Sequence, residues 1–202
     1  MTRVAAFVAL LVATFPITRA LDVFPTKGIL DLSRTLAGDE RTASLEFRFV
    51  NEDILLGKAL ERRWFGWGGY GRNRIYDPET GNDLSVVDGF WVGVVGTQGI
   101  LGFATYFWLL LIPLFGATKA CASIRFPSDA LLYGTLALIV ALMSLDLLPN
   151  GCFNSLPFFL AGALHGFGNG LKNAHDSDCP HEAPAPKLHK RPRALRALLP
   201  PS

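Results

Sequence analysis

The residues best suited to chemistry in this chain are arginines and acids that flank its apolar stretches. Arg48 stands between two phenylalanines, and Asp88 directly precedes a long uncharged run. A guanidinium group is planar and permanently charged, so it can clamp a diphosphate, and a carboxylate at a helix mouth can act as a general base. Each residue also has a structural alternative, because Arg48 could lie on a solvated helix face and Asp88 could cap the following helix.

A glycine-rich and aromatic segment, RRWFGWGGYGRNR at residues 62–74, supplies further candidates. Its glycines formally match a dinucleotide fingerprint, but that fingerprint needs a preceding strand and a following helix, which the sequence does not predict here. Trp67 and Tyr70 could stack on pyranose rings, while Arg72, Arg74 and backbone amides could bind phosphate. The alternative is an aromatic belt at the level of the lipid headgroups, and the two interpretations are compatible.

The composition indicates a membrane protein. Half of the 202 residues are hydrophobic and 18% are charged, with a mean hydropathy of +0.31, so an ordinary cytosolic enzyme is not expected. The net charge of +2 does not support nucleic-acid binding, and three scattered cysteines do not form a disulfide framework. We expect no cofactor and no metal, since His175, Cys179 and His181 lack a fourth ligand.

Long uncharged runs predict an all-α integral membrane protein with three to four transmembrane helices and a large extracytoplasmic loop. Residues 89–115 and 130–148 are each long enough to cross a bilayer at a rise of about 1.5 Å per residue. Residues 156–167 could form a thin span or a re-entrant segment. Residues 4–17 suit either an uncleaved span, which we favour, or a cleavable signal peptide.

The distribution of charge predicts the orientation of these segments. Residues 21–88 form a hydrophilic loop with nine Lys or Arg and twelve Asp or Glu, whereas the tail after residue 171 is basic. The positive-inside rule makes the tail cytoplasmic and the loop periplasmic. The prolines and charges of the tail predict disorder. We therefore divide the chain into an N-terminal helix (1–20), a periplasmic loop (21–88), a membrane domain with two to three spans (89–171) and a disordered basic tail (172–202).

Within the loop, residues 39–62 predict an amphipathic helix with Asp39 as its N-cap. On such a helix Arg41 and Arg48 share a face, and Arg34 extends that face if the helix passes through Gly38. The residues at helical spacing on the apolar side are Leu45, Phe49, Glu52, Leu56 and Ala59.

These features resemble the large outer loop and following span of the O-antigen ligase and polysaccharide polymerase family. The resemblance lies in the order of the amphipathic segment with Arg48, the segment ERRWFGWGGYGRNR, and a DGFW run that leads into GILG. Members of the ligase branch carry His, then Asn, Ser or Gln, nine residues, Gly, two residues, and Gly, Thr or Tyr. Asp88, Gly89, Gly99 and Gly102 keep this spacing here. Aspartate in place of histidine favours a polymerase-like or divergent member.

The resemblance implies a multi-pass protein of the bacterial inner membrane that acts on undecaprenyl-diphosphate-linked glycans in O-antigen or surface polysaccharide assembly. The reaction would be a metal-independent glycosyl transfer to an acceptor saccharide or lipid. Arg48 best matches the family's loop arginine, with Arg72 and Arg74 next, and Asp88 would take the proton of the acceptor. Because family members have more spans before this loop, the resemblance covers only their C-terminal portion and implies a truncated member or a subunit that supplies further spans.

Two other functions stay open. The chain could be a non-catalytic membrane module that binds a lipid-linked glycan or a partner subunit. It could also be a component of a small transporter, in which case Asp146 and His165 would face a pore, since acids within membrane helices usually serve a function. Membrane lipids are expected around the chain in every case.

Overall fold

The computed structural model describes residues 1–122, 124, 126–152 and 154–178. These residues contain no strand, and a single isolated bridge joins Tyr76 to Asp83, so the all-α class is confirmed. The helices are α1 (Thr2–Ala20), α2 (Thr26–Ala37), α3 (Asp39–Leu60), α4 (Phe90–Ala122), α5 (Pro127–Asp146) and α6 (Leu156–Asp178).

Three of the helices, α1, α4 and α5, are long and apolar enough to cross a membrane. Within the described residues α6 does not meet this measure, so its thin-span and re-entrant interpretations both remain predictions. The helix continues to Asp178, seven residues into the segment that we expected to be disordered. A reason is that no proline interrupts the chain between residue 171 and Pro180. The rest of the predicted tail lies outside the described residues.

The helices form one bundle with α4 at its centre, in contact with α1, α3, α5 and α6. The end of α1 meets the start of α4, where the rings of Phe15 and Trp91 lie 5.9 Å apart. At the opposite end of α1, Met1 packs beside Gly134 of α5. The loop of residues 21–88 and the connection after α5 therefore meet at one end of the bundle, which we call the loop end.

Helix α4 is broken at Gly99, where the sequence predicted one continuous span. Gly99 has φ 71° and ψ −171°, a conformation that essentially only glycine adopts. The break separates residues 90–98 from residues 100–122. It also leaves the last carbonyls of the first half and the first amides of the second half without intrahelical partners.

The glycine-rich segment seals this break with its own backbone. The amides of Trp67 and Gly68 donate to the carbonyls of residues 96 and 97, at 2.9 and 2.8 Å. In the other direction, the amides of residues 100 and 101 donate to the carbonyls of Arg63 and Trp64, at 2.7 and 3.4 Å. Non-helical backbone within a membrane helix is tolerated when protein groups satisfy it. The segment therefore completes the interrupted helix.

The amphipathic helix forms as α3, but it starts differently from the prediction. Its N-cap is Gly38, with φ 84° and no side-chain cap, so Asp39 is the first helical residue and not the cap. Gly38 separates α2 from α3. Arg34 therefore lies on α2 and does not extend the face of Arg41 and Arg48, because a glycine in this conformation redirects the chain.

We predict that Gly99→Ala lowers the free energy of unfolding by at least about 2 kcal/mol, because it adds φ strain and a steric clash. An added Cβ would overlap the backbone of Trp64 and would lie 2.6 Å from the amide nitrogen of Phe65. The measurement is denaturant-induced unfolding of the full chain in detergent micelles. Gly116→Ala is the control, because it lies in the same helix and has open space around its Cβ position. Equal stability of the two variants would contradict the sealed-break interpretation.

Candidate functional site

A cavity of about 480 Å³ opens at the loop end of the bundle, among α1, α3 and α5. Arg48 from α3 and Asp88, two residues before α4, both line it, together with Asp146 from the end of α5. The structure therefore brings together the two residues to which the sequence assigned catalysis. We call this space the interface cavity. The rest of its lining is Phe15, Leu45, Phe49, Glu52, Leu142, Leu145, Leu148 and Pro149.

The polar groups of the interface cavity differ in how tightly they are held. Arg48 is exposed and Asp88 is half-buried, so both are open to a ligand. The carboxylate of Asp146 accepts a 2.6 Å hydrogen bond from the Asn150 amide. Among the described residues that line this cavity, Arg48 is the one cation beside three carboxylates. An anion entering the cavity therefore depends on Arg48.

The other arginines of α2 and α3 do not join this lining. Arg34 is exposed and lies 3.8 Å from Asp31 and 3.5 Å from Asp39. Arg41 is exposed and does not line the interface cavity. The solvated-face interpretation therefore fits these two residues, whereas Arg48 belongs to the cavity.

A buried ion pair fixes the position of α3 relative to the rest of the bundle. Arg19, at the end of α1, is 5% exposed, and Glu52 of α3 is 6% exposed. Arg19 Nε lies 3.4 Å from Glu52 Oε2, and the buried indole of Trp91 donates to Glu52 Oε1 at 3.2 Å. Helices α1, α3 and α4 are thus joined at one carboxylate. Arg48 precedes Glu52 by one helical turn, so this junction also sets where Arg48 lies.

The other contacts of the Arg19 guanidinium are with α3 and with two aromatic rings. Its Nη2 atom donates to Asp53 at 2.6 Å and to the carbonyl of Phe49 at 3.2 Å. The same group lies 5.0 Å from the Phe49 ring centroid and 5.7 Å from that of Phe24. Arg19 is therefore a structural residue that the sequence did not single out. The sequence feature that could have indicated a buried partner such as Arg19 was Glu52, an acid on the apolar face of a predicted helix.

Burial raises the pKa of Glu52, and this effect outweighs the hydrogen bond from Trp91 and the charge of Arg19. A charged carboxylate loses its hydration when it is buried, so the neutral form gains in relative stability. Glu52 Oε2 and Arg19 Nε make no hydrogen bond within the described part of the chain. The pair is therefore an ion pair with imperfect geometry, in which the loss of either partner exposes the other to the full cost of burial.

Trp67 ties the glycine-rich segment to α3. Its indole nitrogen donates to the carbonyl of Lys58 at 2.8 Å. The ammonium of Lys58 and the guanidinium of Arg62 lie 4.0 and 4.3 Å from its ring centroid. These contacts and the use of the Trp67 and Gly68 amides at the α4 break give the segment a structural role. Sugar stacking on Trp67 stays a prediction.

The remaining candidates of this segment lie apart from Arg48 and Asp88. Tyr70 is fully exposed, with φ 63°, and Arg72 donates to the carbonyl of Gly69 at 3.1 Å. Arg74 is ion-paired with Asp83, a contact that holds the pKa of Asp83 below its usual value. Arg74 lines a different cavity of about 390 Å³. The predicted substrate-binding residues are therefore not gathered around the predicted catalytic pair.

Asp146 and His165, the residues considered for a pore, line separate cavities. His165 lies 3.1 Å from the Asn169 amide nitrogen, in a space whose other lining residues are apolar or small. Within the described residues, no group of three His, Cys, Asp or Glu could hold a metal ion. Cys179 and His181 of the tail lie outside the described residues.

No family model, curated protein or solved structure matches this chain. Its function is therefore inferred from its residues and their arrangement.

We predict that Arg19→Met destabilises the protein by about 3 kcal/mol, because it leaves the buried Glu52 without a counterion. Asp53 would lose the same partner at little cost, since its side chain is 59% exposed. The double variant Arg19→Met with Glu52→Gln should recover most of the loss, as it removes both charges. The free energies of unfolding of the wild type, the single variant and the double variant are measured in detergent micelles. A double variant that is no more stable than Arg19→Met would contradict this account.

The raised pKa of Glu52 also predicts a pH dependence. The folded protein binds this proton more tightly than the unfolded chain, so the contribution of Glu52 to stability is complete below pH 4.5 and is lost as the pH rises through the folded-state pKa. Relative to Glu52→Gln, the wild type should lose stability as the pH rises from about 4 to about 8. The lowered pKa of Asp83 acts in both proteins and cancels. Thermal midpoints that differ by a constant amount across this range would contradict the prediction.

Proposed function

We propose that the chain is a membrane glycan ligase or polymerase-like protein that acts on undecaprenyl-diphosphate-linked saccharides in O-antigen or surface polysaccharide assembly. The observation that carries the proposal is that Arg48 and Asp88 line one cavity at the loop end of the bundle. An activated glycan needs a cation for its diphosphate and a base for the acceptor. In the interface cavity Arg48 is the cation and Asp88 is the proposed base.

The shape and lining of the interface cavity also suit an amphiphile. Its volume lies in the range of about 300–1,000 Å³ typical of ligand sites, and most of its lining is apolar. Leucines of α5 and the rings of Phe15 and Phe49 offer a surface for a polyprenyl chain. Arg48 offers the bidentate fork that matches a phosphate. A soluble sugar nucleotide would gain little from these apolar walls.

The proposed reaction transfers the glycan with inversion. Asp88 takes the proton of the acceptor hydroxyl, the acceptor oxygen attacks the anomeric carbon, and the bond from that carbon to the diphosphate oxygen breaks. The electron pair leaves with the lipid diphosphate, whose charge Arg48 neutralises. Since Arg48 is the one cation among the described residues that line the cavity, it is the side chain on which diphosphate binding depends most.

The same proposal gives the chain a location and an orientation. It is a multi-pass protein of the bacterial inner membrane, with the loop end facing the periplasm and the tail facing the cytoplasm. The basic residues of the tail support this orientation through the positive-inside rule. A partner subunit with further membrane spans would complete the walls of the interface cavity around the donor lipid. Without turnover, the chain would be a module that binds lipid-linked glycan.

We predict that Arg48→Ala abolishes glycan extension, with a rate at least about 100-fold below the wild type, and weakens donor binding, because no other cation lines the described cavity. The full chain is reconstituted in lipid nanodiscs and mixed with undecaprenyl-diphosphate-linked oligosaccharide, with binding and extension measured separately. Arg48→Lys should restore binding in part, since it keeps the charge and loses the fork. Arg41→Ala is the matched control on the same helix and should behave as the wild type.

The outcomes separate the candidate functions. Extension that is lost in Arg48→Ala and kept in Arg41→Ala supports a glycosyl transferase with an arginine clamp. Donor binding without extension by the wild type identifies a non-catalytic module. Absence of both activities in the wild type overturns the proposal and favours a transporter component. Extension that survives Arg48→Ala removes the central role given to this residue.

A further inference from the structure

A second cavity, polar in character, lies beside the interface cavity at the loop end. It has a volume of about 390 Å³ and lies between the loop and the first half of α4. Asn73, Arg74, Thr97, Gln98 and Tyr106 supply its polar lining. We call it the polar cavity. It is large enough for a small ligand by the usual range of such sites.

The side chains of the polar cavity are rich in groups that both donate and accept hydrogen bonds. Asn73 is 6% exposed and packs against Gly96, where an added Cβ would lie 3.1 Å from its amide nitrogen. Gln98 is exposed and Tyr106 is half-buried. Carboxamide and hydroxyl groups offer donors and acceptors within one side chain. Hydroxyl groups of a polyol need this combination.

The charge of the polar cavity is balanced within the protein. Arg74 is ion-paired with Asp83, and Asp83 also accepts bonds from the backbone and hydroxyl of Ser85 at 3.0 and 2.8 Å. The guanidinium therefore already has its counterion. The remaining lining side chains named above are uncharged, so a neutral ligand fits the cavity better than a phosphate does.

One stretch of backbone separates the two cavities. Val87 lines the polar cavity, whereas the next residue, Asp88, lines the interface cavity. The connection after α5 completes this wall, with Gly151 on the polar side and Pro149 on the other. An added Cβ at Gly151 would lie 2.6 Å from the carbonyl of Val87. The wall is therefore tightly packed, and its two sides are one residue apart.

We propose that the polar cavity binds a neutral saccharide, the acceptor end of a glycan, beside the lipid-diphosphate donor in the interface cavity. The identification of this saccharide as the acceptor rests on the function proposed above, whereas the proposal that the polar cavity binds a saccharide rests on its lining alone. The amides of Asn73 and Gln98 and the hydroxyl of Tyr106 bind the sugar hydroxyls. The proposed saccharide site and Asp88 then lie on opposite sides of this wall, so the acceptor hydroxyl reaches Asp88 around the edge of the wall and not through it.

The test uses the full chain in lipid nanodiscs and a neutral repeat-unit oligosaccharide freed from its lipid diphosphate by mild acid. Saturation-transfer NMR measures its binding. Gln98→Ala should weaken binding roughly tenfold, through the loss of hydrogen bonds to an amide. Tyr106→Phe should weaken it about threefold. This second variant keeps the ring that packs on Phe90 and Phe158, at 5.8 and 5.7 Å between centroids, and so protects the test against misfolding.

Asn82→Ala is the matched control, since it removes an exposed amide of the same loop that does not line the polar cavity. Binding that is weakened by Gln98→Ala and Tyr106→Phe but not by Asn82→Ala supports the inference. Absence of binding to the wild type overturns it. Binding that responds to Arg48→Ala and not to Gln98→Ala also overturns it, because the sugar would then occupy the interface cavity.

Donor binding, measured on the same preparations, separates this inference from the function proposed above. If the free oligosaccharide binds through Gln98 while the lipid-linked donor does not bind, the saccharide site stands and the transferase proposal fails. If the donor binds through Arg48 while the free oligosaccharide does not bind, the transferase proposal stands and the saccharide site fails. Unchanged donor binding in Gln98→Ala also shows that this variant is folded.

Discussion

The arrangement of the whole loop end depends on four hydrogen bonds between two stretches of backbone, residues 63–68 and residues 96–101. They supply the partners that α4 loses where Gly99 interrupts it. A carbonyl or amide left unpaired in a membrane helix costs several kcal/mol, so the helix can break here only because the glycine-rich segment fills the gap. Close approach requires glycine on both sides, since a Cβ at Gly66 would lie 2.5 Å from the carbonyl carbon of Thr97.

The segment that seals the break also positions the two cavities. On one side, Trp67 connects it to the end of α3, and α3 carries Arg48 into the interface cavity. On the other side, the chain continues to Asn73 and Arg74, which line the polar cavity. The ion pair of Arg19 with Glu52 holds the middle of α3 against the bundle. Arg48 therefore lies on a helix that is fixed at two points, and its side chain remains free to contact a ligand.

Sequence patterns predicted the parts of this structure that follow from local periodicity. The apolar runs predicted three helices that can span a membrane, and the spacing of Leu45, Phe49 and Leu56 predicted α3 nearly to its ends. The family resemblance assigned Arg48 and Asp88 to one site, and both line the interface cavity. The break at Gly99 was missed, because nothing local distinguishes a glycine that leaves the helical conformation from the helical glycines nearby. The Arg19–Glu52 pair was missed because it joins residues 33 positions apart through tertiary packing.

The four hydrogen bonds that bridge the break in α4 are made by main-chain atoms alone, and this limits which positions can change over evolutionary time. The side chains of Trp64 and Phe65 project outward, at 56% and 78% exposure, and contribute no atom to the four bonds. Substitutions at these two positions leave the join intact, whereas Gly66 and Gly99 can change only together with the path of the chain. In relatives that keep this architecture, the two glycines should be inherited as a unit, while the aromatic residues at positions 64 and 65 are free to change.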